Sequence, residues 1–302
     1  MRQAKERVPE KTMKVIRASH LGMCFGVRDA ITLALQQNES GPVTILGDLV
    51  HNETVLSHLR SQGVKIEHQV AAVSTPTVII TAHGASERAL RRVRDRGLNV
   101  LEATCPLVHH AHRAVGKLVE EGFHPVIIGK RDHVEVRGII EDLEACDVVL
   151  NEEDIARLPE RPRFGIAAQT TQPIDKVRRL VQLIRERFPR SEVRFIDTVC
   201  QPTKNRQSAA LELARQSDVV VVIGGAHSNN TRELVSTCSQ FCPRVHHVQV
   251  AEDLCPDWFE GAQTVGLTAG TSTPDSVIDE VEQWLEEFAR FQQRLVNHLQ
   301  EV

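Results

Sequence analysis

The chain reads as an α/β protein of three related units folded about a shared centre, and three observations predict it. Cys24, Cys105 and Cys200 each follow an apolar, β-type run and open a helical one: CFGVRDAI after VIRAS, CPLVHHAHRAV after LNVLEAT, and CQPTKNRQSAAL after VRFIDTV. The stretches behind these cysteines repeat in the same order. Their strands are short, rich in Val and Ile, and alternate with helical patterns, which indicates parallel α/β units rather than a sandwich.

Each Cys-led helix is followed by an apolar strand that ends in a polar loop: TILGDLVHN, PVIIGKRDHVEV and VVVVIGGAHSNNT. Shorter matching stretches come next, GVKIEHQVAAV, CDVVLNEEDIARL and RVHHVQVAEDL. A last strand and loop closes each block: TVIITAHGAS, RFGIAAQTTQP and TVGLTAGTSTP. The blocks span residues 14–104, 105–199 and 200–285, a size at the lower end for an independent core. Open α/β sheets bind ligands at the carboxyl ends of their strands. His51, Asn52, His83, His133, Glu135, Thr170, Thr171, Ser228, Asn230 and Ser272 all fall at such ends. Arranged about a pseudo-threefold axis, these loops face one cavity with the three cysteines at its floor. The ending VIDEVEQWLEEFARFQQRLVNHLQEV reads as one amphipathic helix that packs back or mediates assembly, its part beyond the third block being residues 286–302.

Composition fits a soluble cytoplasmic enzyme. The chain has 302 residues, 41% of them hydrophobic and 25% charged, enough to bury a substantial core. It contains no apolar run long enough to span a membrane. Residues 1–13 are highly charged and lack the apolar stretch of a secretory signal, so they read as a disordered tail. Seven cysteines, an odd number at low density, fit a reducing compartment and metal-bound or reactive thiols. A net charge of −4, with basic and acidic residues interleaved, argues against nucleic acid as a partner.

The chemistry follows from residue types. Three thiolates can hold three irons of a cubane cluster and leave the fourth open as a Lewis acid. Structural zinc usually shows paired local spacings, which these cysteines lack. Cys146, Cys238, Cys242 and Cys255 have no equivalents in the repeat and read as structural. His51, His83 and His133 beside Ser, Thr and Asn donors suit a diphosphate, although spacing alone equally allows a metal. No Walker loop or GxGxxG implies a nucleotide. Glu135 follows His133 by two residues in HVEV; in an extended segment both side chains point to one side, and a carboxyl in a closed polar cavity is a natural proton donor. Thr170 and Thr171 are placed to orient it.

The stretches GMCFGVRDAI, LVHNETVLSHLRSQGV, TAHGAS, EATCPLVHHAH, GKRDHVEVRG, AQTTQPID, CQPTKNRQ, GGAHSNNTREL and TAGTSTP, in this order, resemble the 4-hydroxy-3-methylbut-2-enyl diphosphate reductases. The resemblance covers nearly all of residues 14–285. It implies a trefoil of three α/β domains around a [4Fe–4S] cluster with one iron not ligated by protein, held by Cys24, Cys105 and Cys200. It places the substrate diphosphate on His51, His83, His133, Ser228, Asn230 and Ser272, with Asn229 where the family has a second Ser. It makes Glu135 the proton donor, with Thr170 beside it. It implies reductive dehydroxylation of an allylic diphosphate to isopentenyl and dimethylallyl diphosphate, with electrons from ferredoxin or flavodoxin. The chain departs from the family pattern at Glu102, Lys130, Val134, Ala168, Asn229 and the GlnProThrLys after Cys200; none removes a ligand or the acid. The same residues also accommodate a related reductase of another allylic or phosphorylated substrate, a cluster-bearing sensor, or a His/Glu metallohydrolase.

Overall fold

The computed structural model describes residues 13–301. Its first strand, β1 (Lys14–Arg17), leads through Cys24 into helix α1 (Phe25–Ser40). The first unit continues with β2 (Val43–Leu46), α2 (Glu53–Ser61), β3 (Lys65–Glu67), β4 (Thr77–Ile80), α3 (Glu87–Arg94) and β5 (Asn99–Glu102). Cys105 leads into α4 (Pro106–Glu120), followed by β6 (His124–Ile128), α5 (Val134–Ile140), β7 (Asp147–Val149), α6 (Glu152–Ala156), β8 (Arg163–Ala168), α7 (Ile174–Arg187) and β9 (Glu192–Phe195). Cys200 leads into α8 (Gln201–Arg215), then β10 (Val219–Ile223), α9 (Asn229–Ser239), β11 (Val245–Val248), β12 (Thr264–Ala269) and α10 (Asp275–Glu301).

These strands form three four-stranded parallel sheets among the described residues, ordered β3-β2-β4-β5, β7-β6-β8-β9 and β11-β10-β12-β1. The expected architecture of three α/β units is thus present. The expected boundary of the first block is not: β1 pairs with β12, Lys14 opposite Thr264 and Arg17 opposite Leu267, and completes the third sheet. It occupies there the place of β5 and β9. Each cysteine therefore stands at a seam, where the edge strand of one sheet passes the chain to the leading helix of the next unit. The boundaries expected at 104/105 and 199/200 fall in such seams.

All three sheets are buried on both faces, which is why their central strands read as unbroken apolar runs rather than alternating ones. Val219, Val220, Val221, Val222 and Ile223 of β10 are all fully buried. Helix α10 begins at Asp275, at the start of the expected helical run from Val277 and well ahead of its 286–302 part. It lays Val277, Ile278, Val281, Leu285 and Ala289 onto the third sheet, and Arg17 of β1 pairs with its Asp279 and Glu282. Of the two roles expected of it, packing back is the one seen. The expected tail loses Met13, which is buried in the same core; residues 1–12 lie outside the described residues. No helix among the described residues is long and apolar enough to cross a membrane.

Gly165 shows how closely the leading helices approach the sheets. A Cβ there would lie 2.8 Å from Phe123 Cβ and 2.9 Å from Leu118 Cβ, the latter on α4. Overpacking of this kind costs about 1–3 kcal/mol. Gly165→Ala is expected to lower the urea midpoint accordingly; an unchanged midpoint would show that α4 can ride outward without loss.

Candidate active site

The cysteines occupy equivalent positions, each the residue capping the leading helix of its unit: Cys24 on α1, Cys105 on α4 and Cys200 on α8. Pro106 and Pro202 in the first turns of α4 and α8 suit positions whose N–H groups have no helical partner. The cysteines sit at positive helix ends, and Cys24 lies within electrostatic reach of both Cys105 and Cys200. A methyl group at Gly26 would run into Cys105 Sγ, so glycine is what lets α1 close onto the second cysteine. All three thiols are free. Burial pushes the Cys105 thiol up and the Cys200 thiol up to about 11, with the neighbouring Cys24 adding to both. Converging thiols that resist ionising alone become thiolates when a soft cation neutralises them, so the donor set fits a thiophilic metal or iron–sulfur group.

The strand ends build a polar chamber lined by His51, His83, His133, Thr171, Ser228, Asn229, Asn230, Thr271 and Ser272, with Val27 and Val50 as its apolar wall. The expected diphosphate residues all meet here. The His51 and His83 rings stack at 4.3 Å, and His133 stands edge-on to them at 5.2 and 5.6 Å. Burial lowers the pKa of all three, of His133 to about 3; neighbouring rings add to it at His83 and cations at His133, while Asp48 opposes it at His51. The shifts favour the neutral rings.

The donors are set by local structure. Ser228 caps α9, its Oγ accepting from Thr231 N at 3.3 Å, so the first backbone N–H groups of that helix, at Asn229 and Asn230, open toward an anion. Asn230 Oδ1 accepts from Thr271 N at 2.9 Å, which leaves its Nδ2 buried without a partner, as is His83 Nδ1. Buried donors lacking a partner are costly unless a ligand takes them up. Ser272 Oγ donates to His51 O at 3.3 Å, fastening the third unit to the first. The Asn229 amide donates to Thr171 Oγ1 at 3.2 Å, so the substituted position braces the chamber across two units.

One nitrogen of each of the three rings lies within 4.8 Å of the others, a spacing that also admits a metal ion. The tautomer of His133 argues for an anion. Its Nδ1 accepts from Glu135 N at 3.2 Å, so in the neutral ring the hydrogen sits on Nε2, which can then donate but not ligate.

Two residues beyond the chamber residue His133 comes Glu135. The expectation of an extended HVEV segment is corrected: His133 caps α5 and Glu135 sits in its first turn, because the His133 side chain satisfies a helix N–H and Val136 and Ile139 are drawn into the core. Glu135 is 1% exposed. Its Oε1 accepts from Thr170 N at 2.7 Å and its Oε2 from Thr170 Oγ1 at 3.0 Å. Burial outweighs both bonds and raises the carboxyl to about 7. It lies within electrostatic reach of Cys105 and Cys200.

Thr271, Val27 and Val50 line the chamber unanticipated by the sequence reading; Thr171 was expected only to orient its neighbours. The departure at Ala168 leaves a backbone anchored by Thr198, whose Oγ1 lies 2.8 Å from Ala168 N. Glu102 lies outside the chamber, near Arg94 and His109.

Equivalent loops of three parallel units that pool one thiol each and build an anion-ready chamber define a class of α/β protein whose active centre belongs to no single unit. The LytB protein family model matches residues 15–286. The 4-hydroxy-3-methylbut-2-enyl diphosphate reductase of Geobacter sulfurreducens is 38% identical over 280 residues, 91% of this chain and 98% of the relative. That of Aquifex aeolicus is 37% identical over 284 residues, 92% and 98% of the two chains. A solved (E)-4-hydroxy-3-methyl-but-2-enyl diphosphate reductase, the terminal enzyme of the non-mevalonate pathway, superimposes with a TM-score of 0.66 at 38% identity, covering 90% of this chain and 99% of its own. The E-1-hydroxy-2-methyl-but-2-enyl-4-diphosphate reductase from Plasmodium falciparum superimposes with a TM-score of 0.84 at 25% identity, covering 91% and 88%. The chain belongs to the LytB family, that of the 4-hydroxy-3-methylbut-2-enyl diphosphate reductases.

Proposed function

We propose that the chain removes the allylic hydroxyl of 4-hydroxy-3-methylbut-2-enyl diphosphate as water, consuming two electrons and two protons and giving isopentenyl and dimethylallyl diphosphate. The observation that carries this reading is Glu135, a carboxyl that burial keeps protonated up to about pH 7, two residues beyond His133 and within electrostatic reach of Cys105 and Cys200. A redox centre paired with a proton donor is what reductive loss of a hydroxyl requires.

Cys24, Cys105 and Cys200 would hold a [4Fe–4S] cluster. When bound, it supplies electrons one at a time and an iron without a protein ligand that can take the hydroxyl. An external one-electron donor of the ferredoxin or flavodoxin type refills it. His51, His83, His133, Ser228, Asn229, Asn230 and Ser272 hold the diphosphate, using the unpartnered donors on His83 and Asn230 and the α9 N-terminus. Val27 and Val50 flank the five-carbon chain. Thr170, bonded to both carboxylate oxygens, fixes the acid and lies beside the departing hydroxyl.

Anaerobic turnover by the reconstituted protein with a strong one-electron reductant tests the assignment, both products being expected. Absent turnover by a cluster-loaded protein would move the substrate to another allylic diphosphate.

The histidines add a proton balance. In the free protein their lowered pKa values favour the neutral form; an anionic ligand favours the charged form and raises those values. Binding of inorganic diphosphate at pH 7 is therefore expected to take up protons. Calorimetry in buffers of different ionisation enthalpy measures this, and zero uptake would assign the rings as neutral donors only.

A further inference from the structure

We infer that Arg206 tunes the reduction potential of the thiol-bound centre, by laying an uncompensated positive charge beside Cys24 and Cys200 while tying their two loops together. The inference rests on the iron–sulfur reading of the three thiols.

Arg206 lies in the second turn of α8 and is 7% exposed. Its Nε and Nη2 both donate to the carbonyl of Gly22, at 3.0 and 2.5 Å, two residues before Cys24. Its Nη1 donates to the carbonyl of Pro202 at 3.0 Å, two residues after Cys200. One planar guanidinium thus spans the seam that carries Cys24 and the helix that carries Cys200, a geometry the fork of an arginine suits and a single ammonium does not.

The charge has no partner of its own kind. Its hydrogen-bond acceptors are neutral carbonyls, and no carboxylate pairs with it among the described residues. Two nearby cations, by contrast, are matched: Arg28 on α1 with Asp275 at 2.9 Å and Lys204 on α8 with Asp197 at 2.8 Å. A buried, unpaired charge is expensive, and arginine does not escape by losing its proton. The ionisable acids within its electrostatic reach are Cys24 and Cys200, which become thiolates once they hold the centre. Reduction of the centre by one electron from an external donor adds one negative charge there. A fixed cation nearby stabilises the reduced form more than the oxidised one and raises the potential, as outer-shell groups do at metal sites generally. Arg206 is thus a positioning residue, acting through the centre and not on the substrate.

The test is an electron paramagnetic resonance redox titration of the reconstituted holoprotein, comparing wild type, Arg206→Lys and Arg206→Gln. Gln keeps an amide donor for Gly22 but drops the charge. Its potential is expected to fall by about 59 mV or more, a tenfold weaker reduction equilibrium for one electron, while Lys stays close to wild type. An unchanged potential in the Gln protein overturns the inference, as does an equal shift in Lys and Gln, which would assign the effect to hydrogen-bond geometry. If circular dichroism shows that the Gln protein does not fold, Arg206→Met, which matches the alkyl stem without the charge, carries the same comparison. Failure of the underlying reading looks different: the wild-type protein would then take up no cluster, and no visible absorbance would develop.

Discussion

Glu135→Gln is expected to lower turnover by about 10²–10⁴-fold, the range of a positioned proton donor, with cluster absorbance and diphosphate affinity retained. The amide is nearly the same size and can keep its place against Thr170, so the change isolates the proton. The pH dependence has a definite sign. Burial raises the carboxyl to about 7, so the acid form dominates below that value and is lost as pH rises through it. Turnover limited by this step should fall above about pH 7 in the wild type and lose that limb in the variant. A Gln protein with wild-type rate at any pH would remove Glu135 from the mechanism.

Cys105→Ser is expected to abolish cluster absorbance and turnover together. Serine is a favoured helix cap, so α4 should be at least as well started as before, and a loss of the cluster cannot be laid to a loss of fold. Cys238→Ser provides the contrast. Cys238 is fully buried in the third unit among Ala210, Leu213 and Leu234, and its thiol is pushed up to about 12 by burial. It is a core residue, so this variant should hold its cluster while losing some stability. A cluster that survives Cys105→Ser, or fails in Cys238→Ser with the fold intact, would redraw the ligand set.

The parts of the site that could be read from the chain are those repeated in it. A Cys capping each leading helix, and polar residues closing each following strand, recur three times. What could not be read depended on partners far away in the sequence. Lys14–Arg17 looks like the first strand of the first block because nothing local distinguishes a strand that pairs forward from one that pairs with Thr264–Leu267. The Val and Ile of HVEVRGII have strand propensity, yet burial of Val136 and Ile139 and the His133 cap settle it as a helix. Arg206 reads as one more cation on a charged helix. Its long-range neutral partner, the carbonyl of Gly22 in the seam after β1, is far away in the chain and has no sequence signature.

Pairing of β1 with β12 also fixes an order of events during synthesis. The chain is made from its N-terminus, and β1 has no neighbouring strand until residues beyond Thr264 have left the ribosome. By then the strand-to-helix junctions at Cys105 and Cys200 have had their own sheets to rest on for a long stretch of translation. The junction at Cys24 has not. It becomes fixed only when the two most distant strands meet, a high-contact-order step and a slow one. With the three cysteines as the proposed ligands, the site is expected to be completed only after β12 is made, and a nascent chain stalled before Thr264 to lack the paired β1 that leads to Cys24.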